Sequence, residues 1–471
     1  MNHKNQIPFY LFIGAVFIII TAPALFSEGM VMDGVLYASI SRNMSDGLGT
    51  FWKPHLSHGL FPEFYEHPPL ALGLQSLWFR VFGDSIYVER FYSLFAYFLM
   101  GLVIVAIWKQ FTNSYRTGWI PLLFYFSMLK ISWACANNML ENTMSVFIGL
   151  SILFYLKGIC GNKIYLIIVS GLFLFLATLT KGLVGLYVWG FPFFLWLFNR
   201  ELKFGRIAIN TGILIAVTVI PFALMILFWP EASNNLVPYF NKQVFGSIQN
   251  SVTVDHRFFI VIAVVYHAVP SLLIAFIILL TAFLKKINWK GANPYYGPAF
   301  ALLLLALGGI LPITISMKQS GHYAITVYPY IAIAIGLMLY PVINQLIETI
   351  NPKSIKLKVF VFFTYGLVGF AILFSYLQMG KISYESTKVS DCHLIIQEIG
   401  KNKTINICPE MQTEWSLHGY FARYGNVSLD KKIDSSCEYL ITDNKCKGPI
   451  PGKDYKEIEL DTKEIRLYKK E

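Results

Sequence analysis

The chain has 471 residues, of which 55% are hydrophobic, 16% aromatic and only 14% charged, and its mean hydropathy is +0.54. Soluble domains average about a quarter charged residues, so this composition predicts a polytopic membrane protein surrounded by membrane lipids. The formal net charge of +11 does not indicate nucleic-acid binding, because no basic stripe or recognition motif accompanies it.

Near-continuous apolar runs predict about 11 membrane-spanning helices, since most are close to the ~20 residues that a helix needs to cross a bilayer. The runs cover residues 7–26, 90–108, 117–132, 139–156, 163–180, 182–198, 206–228, 259–284, 297–316, 323–343 and 357–379. The first run lacks a clear small-residue cleavage site, so it is interpreted as a membrane helix and not as a signal peptide. The expected fold is an all-α polytopic membrane protein.

The basic residues of the short connections predict the orientation, because Lys and Arg favour the cytoplasmic side. With the N-terminus in the cytoplasm, every short basic loop falls on that side, and an odd number of spans leaves the C-terminal segment outside. The basic residues are Lys4, Lys109, Arg116, Lys157, Lys163, Arg200, Lys203, Arg206, Lys285, Lys286, Lys290, Lys353, Lys356 and Lys358.

The chain changes character after the last apolar run. Residues 1–380 are predicted to form the membrane domain, with a first outer loop at about 27–89, and residues 381–471 a small α/β domain with strands at 404–408 and 439–442. Four cysteines lie in the second domain, where an outer location permits disulfides in three connectivities. Metal binding is the competing interpretation, but no close Cys pair supports it. These cysteines are Cys392, Cys408, Cys437 and Cys446.

The first outer loop carries the first group of candidate functional residues. Asp33, Tyr37, Glu66 and His67 lie between two membrane-length apolar segments, among prolines and aromatic residues. A long ordered loop is uncommon and usually functional, so we expect chemistry here. A solvated connector is the alternative.

Further ionisable residues fall at outer helix ends, where such residues are candidates for function. Glu141 opens the fourth span, Lys181 lies in a tight turn, and Lys318, His322 and Tyr323 fill a later outer turn. Both lysines break the positive-inside rule. The alternatives are a snorkelling Lys181, a solvated Lys318, and a Glu141 that only satisfies the helix dipole.

Acids and lysines on one outer face suit a reaction whose donor is an anionic lipid. Lysines bind phosphate as point charges, and a carboxylate can take the proton of an attacking hydroxyl. Sugar transfer from a polyprenyl phosphate fits, with the prenyl tail in an apolar groove between helices.

Several motifs in the first 340 residues together resemble the integral-membrane GT-C glycosyltransferases of the protein O-mannosyltransferase and aminoarabinose transferase type. The motifs are Asp33 with Tyr37, Glu66-His67-Pro68-Pro69-Leu70, Phe82-Gly83 with Glu89-Arg90, Asn138-Met139-Leu140-Glu141, Leu179-Thr180-Lys181-Gly182, and 316–329. The resemblance implies a polyprenyl-phosphate sugar donor, inversion at the sugar carbon, and an active site between the first outer loop and the helical bundle.

The resemblance also implies roles for individual residues. Asp33 resembles the catalytic acid that acts as base for the acceptor hydroxyl, and Glu141 the second acidic position. Lys181, Lys318 and His67 are similar to donor phosphate ligands. The remaining substrate-binding candidates are Tyr37, Glu66, His322 and Tyr323.

The chain departs from its relatives at three points. Asp33-Gly34 stands where mannosyltransferases often have two acids, and His67 stands where the aminoarabinose branch has Lys. Some relatives bind a divalent metal through the loop Glu and a later histidine. Gln243 takes that place here and His256 follows, so Glu66 and His256 are the metal candidates and metal dependence stays open. Residues 229–257 are expected to add a lid or part of the acceptor path.

Three alternatives remain. A transporter or flippase of lipid-linked sugars would place its charges near the bilayer midplane, and a non-catalytic lipid-binding protein would tolerate Asp33→Asn. An oligosaccharide ligase or polymerase would use a diphosphate donor, for which Arg80, Arg90 and Arg257 are available. The prediction is a glycosyltransferase of a bacterial inner membrane with a periplasmic active site and a lipid, glycan or protein acceptor.

Overall fold

The computed structural model describes residues 6–199, 201–246, 252–287, 293–351, 353–431, 437–444, 446 and 455–471. Helices dominate the first 380 residues, and a mixed sheet with two helices follows. The helices are α1 Ile7–Leu25, α2 Met32–Ser45, α3 Leu70–Phe82, α4 Val88–Thr112, α5 Trp119–Phe126, α6 Leu129–Ala136, α7 Leu140–Gly161, α8 Ile164–Lys181, α9 Phe191–Phe198, α10 Phe204–Phe228, α11 Pro230–Tyr239, α12 Phe259–Leu284, α13 Tyr296–Ile310, α14 Tyr328–Glu348, α15 Ile355–Tyr376, α16 Ser386–Ile399 and α17 Trp415–Gly425.

Every apolar run predicted from the sequence coincides with helix, which confirms a multi-pass all-α membrane fold. Within the described residues, nine helical segments are long and apolar enough to cross a membrane. The other two runs are broken: α5 and α6 meet at 78°, and the 3-10 helix Leu183–Gly190 precedes the short α9. The predicted orientation is not tested, and three of its residues, Lys4, Arg200 and Lys290, lie outside the described residues.

The helix ends follow local chemistry. α4 and α7 end before Asn113 and Asn162, both in the left-handed conformation that asparagine tolerates, and α8 ends before Gly182 at φ 80°. α7 and α8 are joined by this short turn at Asn162 into an antiparallel pair, linked in their apolar interior by a Ser151–Ser170 hydrogen bond of 3.0 Å. Residues at the start of α7 therefore lie level with residues at the end of α8.

The C-terminal domain is a five-stranded sheet flanked by α16 and α17. The strands are β1 Thr404–Ile407, β2 Ser428–Asp430, β3 Tyr439–Asp443, β4 Tyr455–Ile458 and β5 Ile465–Lys470, in the order β2-β1-β3-β5-β4. β1 pairs in parallel with β2 and β3, and β5 runs antiparallel to β3 and β4. This α/β architecture is the predicted one, and of the possible cysteine pairings the structure has Cys408–Cys446.

Candidate active site

The amino-terminal end of α2 carries Asp33 and is held by the turn between α6 and α7. The Asn137 side chain accepts a hydrogen bond from the Val31 amide at 2.9 Å, and the Asn138 side chain donates to the Gly34 carbonyl at 3.3 Å. A Cβ at Gly34 would lie 2.2 Å from the Asn137 carbonyl oxygen. This contact explains why the chain has glycine, and not a second acid, after Asp33.

Glu141 and Lys181 form a buried ion pair beside Asp33. Glu141 lies in the first turn of α7 and Lys181 in the last turn of α8, so the antiparallel pair brings them together. The distance from Lys181 Nζ to Glu141 Oε1 is 2.5 Å, and the side chains are only 7% and 1% exposed. The two charges therefore neutralise each other away from solvent.

His322 connects this pair to Asp33. Its Nε2 lies 3.8 Å from both Asp33 Oδ2 and Glu141 Oε1, while Ser320 Oγ is 2.7 Å from its Nδ1. The ring stacks on Trp133 at a centroid distance of 6.0 Å. Asp33 is 27% exposed, so it is the carboxylate of the two that a substrate can reach.

Tyr37 and His67 pack behind Asp33 with their rings 5.8 Å apart. Burial and the negative charges of Asp33 and Glu141 raise the pKa of Tyr37 well above its ordinary value, so its hydroxyl stays protonated. Burial and the positive charge of Lys181 hold the pKa of His67 well below 6.5. His67 is therefore a neutral imidazole here, and a phosphate contact from it is a neutral hydrogen bond.

Glu66, Gln243 and Lys318 form a second group next to Asp33. Lys318 Nζ donates to Gln243 Oε1 at 3.1 Å, and Gln243 hydrogen-bonds Glu66. Burial raises the pKa of Glu66; the positive charge of Lys318 opposes this and the negative charge of Asp33 adds to it. Gln243 lies in the short π-helix Phe240–Phe245, inside the segment predicted to form a lid. Asn250, part of the same prediction, lies outside the described residues.

These residues do not fit a divalent metal. The Lys318 ammonium places a positive charge at Gln243, and an amide is a weaker ligand for a divalent metal than an imidazole. His256 is exposed and its ring lies 6.4 Å from Phe259. In the described part of the chain, the one cluster of three potential ligands is Cys408, Glu410 and Cys446, and its two cysteines form the disulfide.

The structure thus brings the nine predicted catalytic and substrate residues into one region. Asp33, Glu141, Lys181, His322 and Tyr323 are linked by direct contacts or ring packing, with Tyr323 against His322 at 4.7 Å. Tyr37 and His67 form a ring pair within reach of the charges of Asp33 and Lys181. Glu66 and Lys318 join the site through Gln243, and the negative charge of Asp33 acts on Glu66. Sequence reasoning missed Trp133, Asn137 and Ser320, whose contacts orient the others. The Asn137-Asn138 pair in a turn was the available signal for one of them.

An apolar cleft of about 260 Å³ opens beside the end of α8. It lies between α8, α10 and the 3-10 helix Leu183–Gly190, with Phe240 at one end. Thr178 and Leu183, on either side of Lys181 in the chain, both line it. The cleft therefore lies next to the end of α8 that carries Lys181.

Known proteins resemble the chain in sequence over part of its length. Residues 66–228 match the family model for dolichyl-phosphate-mannose-protein mannosyltransferase. Undecaprenyl phosphate-alpha-4-amino-4-deoxy-L-arabinose arabinosyl transferases match at 27% identity over 191 residues in Aeromonas hydrophila and 26% over 219 residues in Wigglesworthia glossinidia brevipalpis. These matches cover 38% and 44% of this chain and about a third of each relative's length, 34% and 37%.

Solved structures resemble the chain over nearly all of its length. ArnT from Cupriavidus metallidurans bound to undecaprenyl phosphate superposes with a TM-score of 0.69 at 16% identity, covering 97% of each chain. The apo oligosaccharyltransferase of Archaeoglobus fulgidus gives a TM-score of 0.54 at 10% identity over 93% of this chain and 70% of that one. The chain therefore has the fold of the integral-membrane GT-C glycosyltransferases, and the resemblance to the aminoarabinose transferase type is confirmed.

Proposed function

We propose that the protein is a membrane glycosyltransferase that moves a sugar from a polyprenyl-phosphate donor to a lipid, glycan or protein acceptor on the outer face of a bacterial inner membrane. The observation that carries the proposal is the accessible Asp33 carboxylate, flanked by the buried Glu141–Lys181 pair and by Lys318. A base and a phosphate-binding cation thus flank one space.

Asp33 accepts the proton of the acceptor hydroxyl as that oxygen attacks the anomeric carbon of the sugar. The new bond forms as the bond to the phosphate oxygen breaks on the opposite face, so the configuration inverts. The polyprenyl phosphate leaves with the electron pair, and Lys318 stabilises its charge.

The remaining residues hold this geometry. His322, stacked on Trp133 and bonded to Ser320, lies between the two carboxylates and presents a polar edge to the substrate. Glu141 neutralises Lys181, and Lys318, which donates to Gln243 beside Glu66, supplies the phosphate contact. The apolar cleft beside α8 accommodates the first isoprene units of the donor.

Sugar transfer by the purified protein tests the proposal. Radiolabelled polyprenyl-phosphate sugars are incubated with the protein and a cell-envelope extract, with Asp33→Asn in parallel and Asp461→Asn, an exposed acid of the C-terminal domain, as the control. We expect transfer by the wild type and the control, and a loss of at least about a hundredfold for Asp33→Asn. Full activity of Asp33→Asn would remove Asp33 as the base, and absence of transfer from every monophosphate donor would reject the function.

A further inference from the structure

The helix that carries Asp33 is held between the membrane bundle and the C-terminal domain. Asp33 and Tyr37, one turn apart, face the candidate active site. A second face of α2 contacts α17, and a third face packs against the first outer loop; on each face the residues are three or four positions apart. The second face consists of Val35, Ser39 and Arg42, and the third of Leu36, Ile40 and Met44.

α17 makes close and specific contacts with α2 and with Met30, two residues ahead of that helix. The Tyr420 hydroxyl accepts a hydrogen bond from the Met30 amide at 3.2 Å and donates one to the Met30 carbonyl at 2.7 Å. Ser39 Oγ donates to the Gly419 carbonyl at 3.1 Å. Met30 and Val35 belong to the same buried apolar cluster as the core of the C-terminal domain. The C-terminal domain therefore makes both hydrogen bonds and apolar contacts with α2 and with the residues just before it.

Ion pairs tie α17 to the membrane domain at its other end. The Arg423–Glu89 pair is buried, whereas the Asp84 side chain is 41% exposed. Arg423 is 3% exposed and bonds Asp84 at 2.6 Å and Glu89 at 3.0 Å, both ahead of or within the first turn of α4. Arg42 donates to the Ala422 carbonyl at 2.6 Å and to Asp84 at 3.3 Å. A buried charge left without its partner is costly, so this network fixes one position of α17.

We propose that α17 is the support that fixes the position of Asp33, which makes the C-terminal domain a working part of the active site. Tyr420 and Arg423 are its positioning residues. A displacement of about 1 Å at a reacting group costs on the order of a hundredfold in rate, so a helix held from behind matters for catalysis. The inference rests on the proposed glycosyl transfer.

Removal of one hydroxyl tests the support. Tyr420→Phe loses both bonds to Met30 and keeps the ring, and Tyr468→Phe, whose hydroxyl bonds Glu457 at 3.2 Å within the sheet, is the matched control. We expect kcat to fall about tenfold in Tyr420→Phe, while KM for the donor and the melting temperature stay close to wild type. The control keeps wild-type kcat.

A pair of compensating substitutions distinguishes loss of the α2–α17 contact from a general loss of stability. A Cβ at Gly419 would lie 2.7 Å from Val35 Cγ1, so Gly419→Ala pushes on α2. We expect Gly419→Ala to lower kcat and Gly419→Ala/Val35→Ala to recover most of it. Gly369→Ala, at a helical glycine with no atom within 4 Å of the added Cβ, is the control.

Hydrogen exchange supplies a readout independent of turnover. Amides of residues 30–45 should exchange faster in Tyr420→Phe than in the wild type and in Tyr468→Phe. The inference is overturned if the wild type transfers sugar and Tyr420→Phe shows the same kcat and the same exchange as the wild type. Absence of transfer in the wild type counts against the proposed function instead, and the exchange result still tests whether α17 holds α2.

Discussion

Lys181 Nζ lies 2.5 Å from Glu141 Oε1 in a pair that solvent hardly reaches. Removal of one partner leaves the other charge buried and uncompensated, so we expect Lys181→Met to lower the free energy of unfolding by about 3–5 kcal/mol. Glu141→Gln/Lys181→Met should be more stable than Lys181→Met alone. Denaturant unfolding in detergent measures both, with the exposed Lys163→Met as control. Equal stability of Lys181→Met and the wild type would show that the pair is not formed.

Lys318 is expected to bind the donor phosphate. A hydrogen bond to a charged group contributes about 1.5–3 kcal/mol, so Lys318→Met should raise KM for the donor by about tenfold to a hundredfold. Folding should be little affected, because Lys318 is only half buried. Steady-state kinetics at varied donor concentration measure the change, and Lys356→Met, at an exposed position in the first turn of α15, is the control. A fall in kcat without a change in KM would assign Lys318 to the chemical step instead.

The sequence predicts more of the membrane fold than of the site. Apolar runs of membrane length locate every span, because lipid demands such runs wherever a helix crosses. The same logic places Glu141 and Lys181 on one face. It does not predict that the two side chains form an ion pair, since this depends on the relative axial position of α7 and α8.

Contacts between distant parts of the chain escape sequence reasoning altogether. Arg423 and Glu89 are 334 positions apart, and the sequence around neither residue predicts a contact with the other. The need for glycine at position 34 is equally hidden in the sequence, because the atom that would collide with a side chain there belongs to Asn137. A single sequence carries composition and periodicity, and these say nothing about which surfaces meet.

Gly34 is expected to tolerate no side chain. In Gly34→Ala the new Cβ would meet the Asn137 carbonyl at 2.2 Å, so the start of α2 must move and carry Asp33 with it. We expect sugar transfer to fall about a hundredfold. Gly212→Ala, where no atom lies within 4 Å of the added Cβ, should keep wild-type activity. A fully active Gly34→Ala would show that the turn at Asn137 can move to make room for the added methyl group without displacing Asp33.

Chelation of divalent metals should leave transfer unchanged. Lys318 supplies a positive charge beside Glu66 and Gln243, and a divalent cation at the same place would be repelled by it. Activity after treatment with EDTA, with and without added Zn²⁺ or Mn²⁺, measures this. Loss of activity that a metal restores would contradict the assignment. Gln243→His/Lys318→Met, which restores a metal-type ligand and removes the competing cation, is expected to bind Zn²⁺ more tightly than the wild type.

His67 should not titrate during catalysis near neutral pH. Its pKa is lowered from 6.5 by burial and by nearby positive charge, so the ring is already neutral at pH 6.5 and stays neutral as pH rises. We therefore expect the profile of kcat/KM from about pH 6 to 8 to keep its shape in His67→Asn, even where its height falls through lost packing on Tyr37. In His67→Lys the added charge should instead alter the donor KM. A limb of the wild-type profile that disappears in His67→Asn would show that this histidine does gain a proton in the working enzyme.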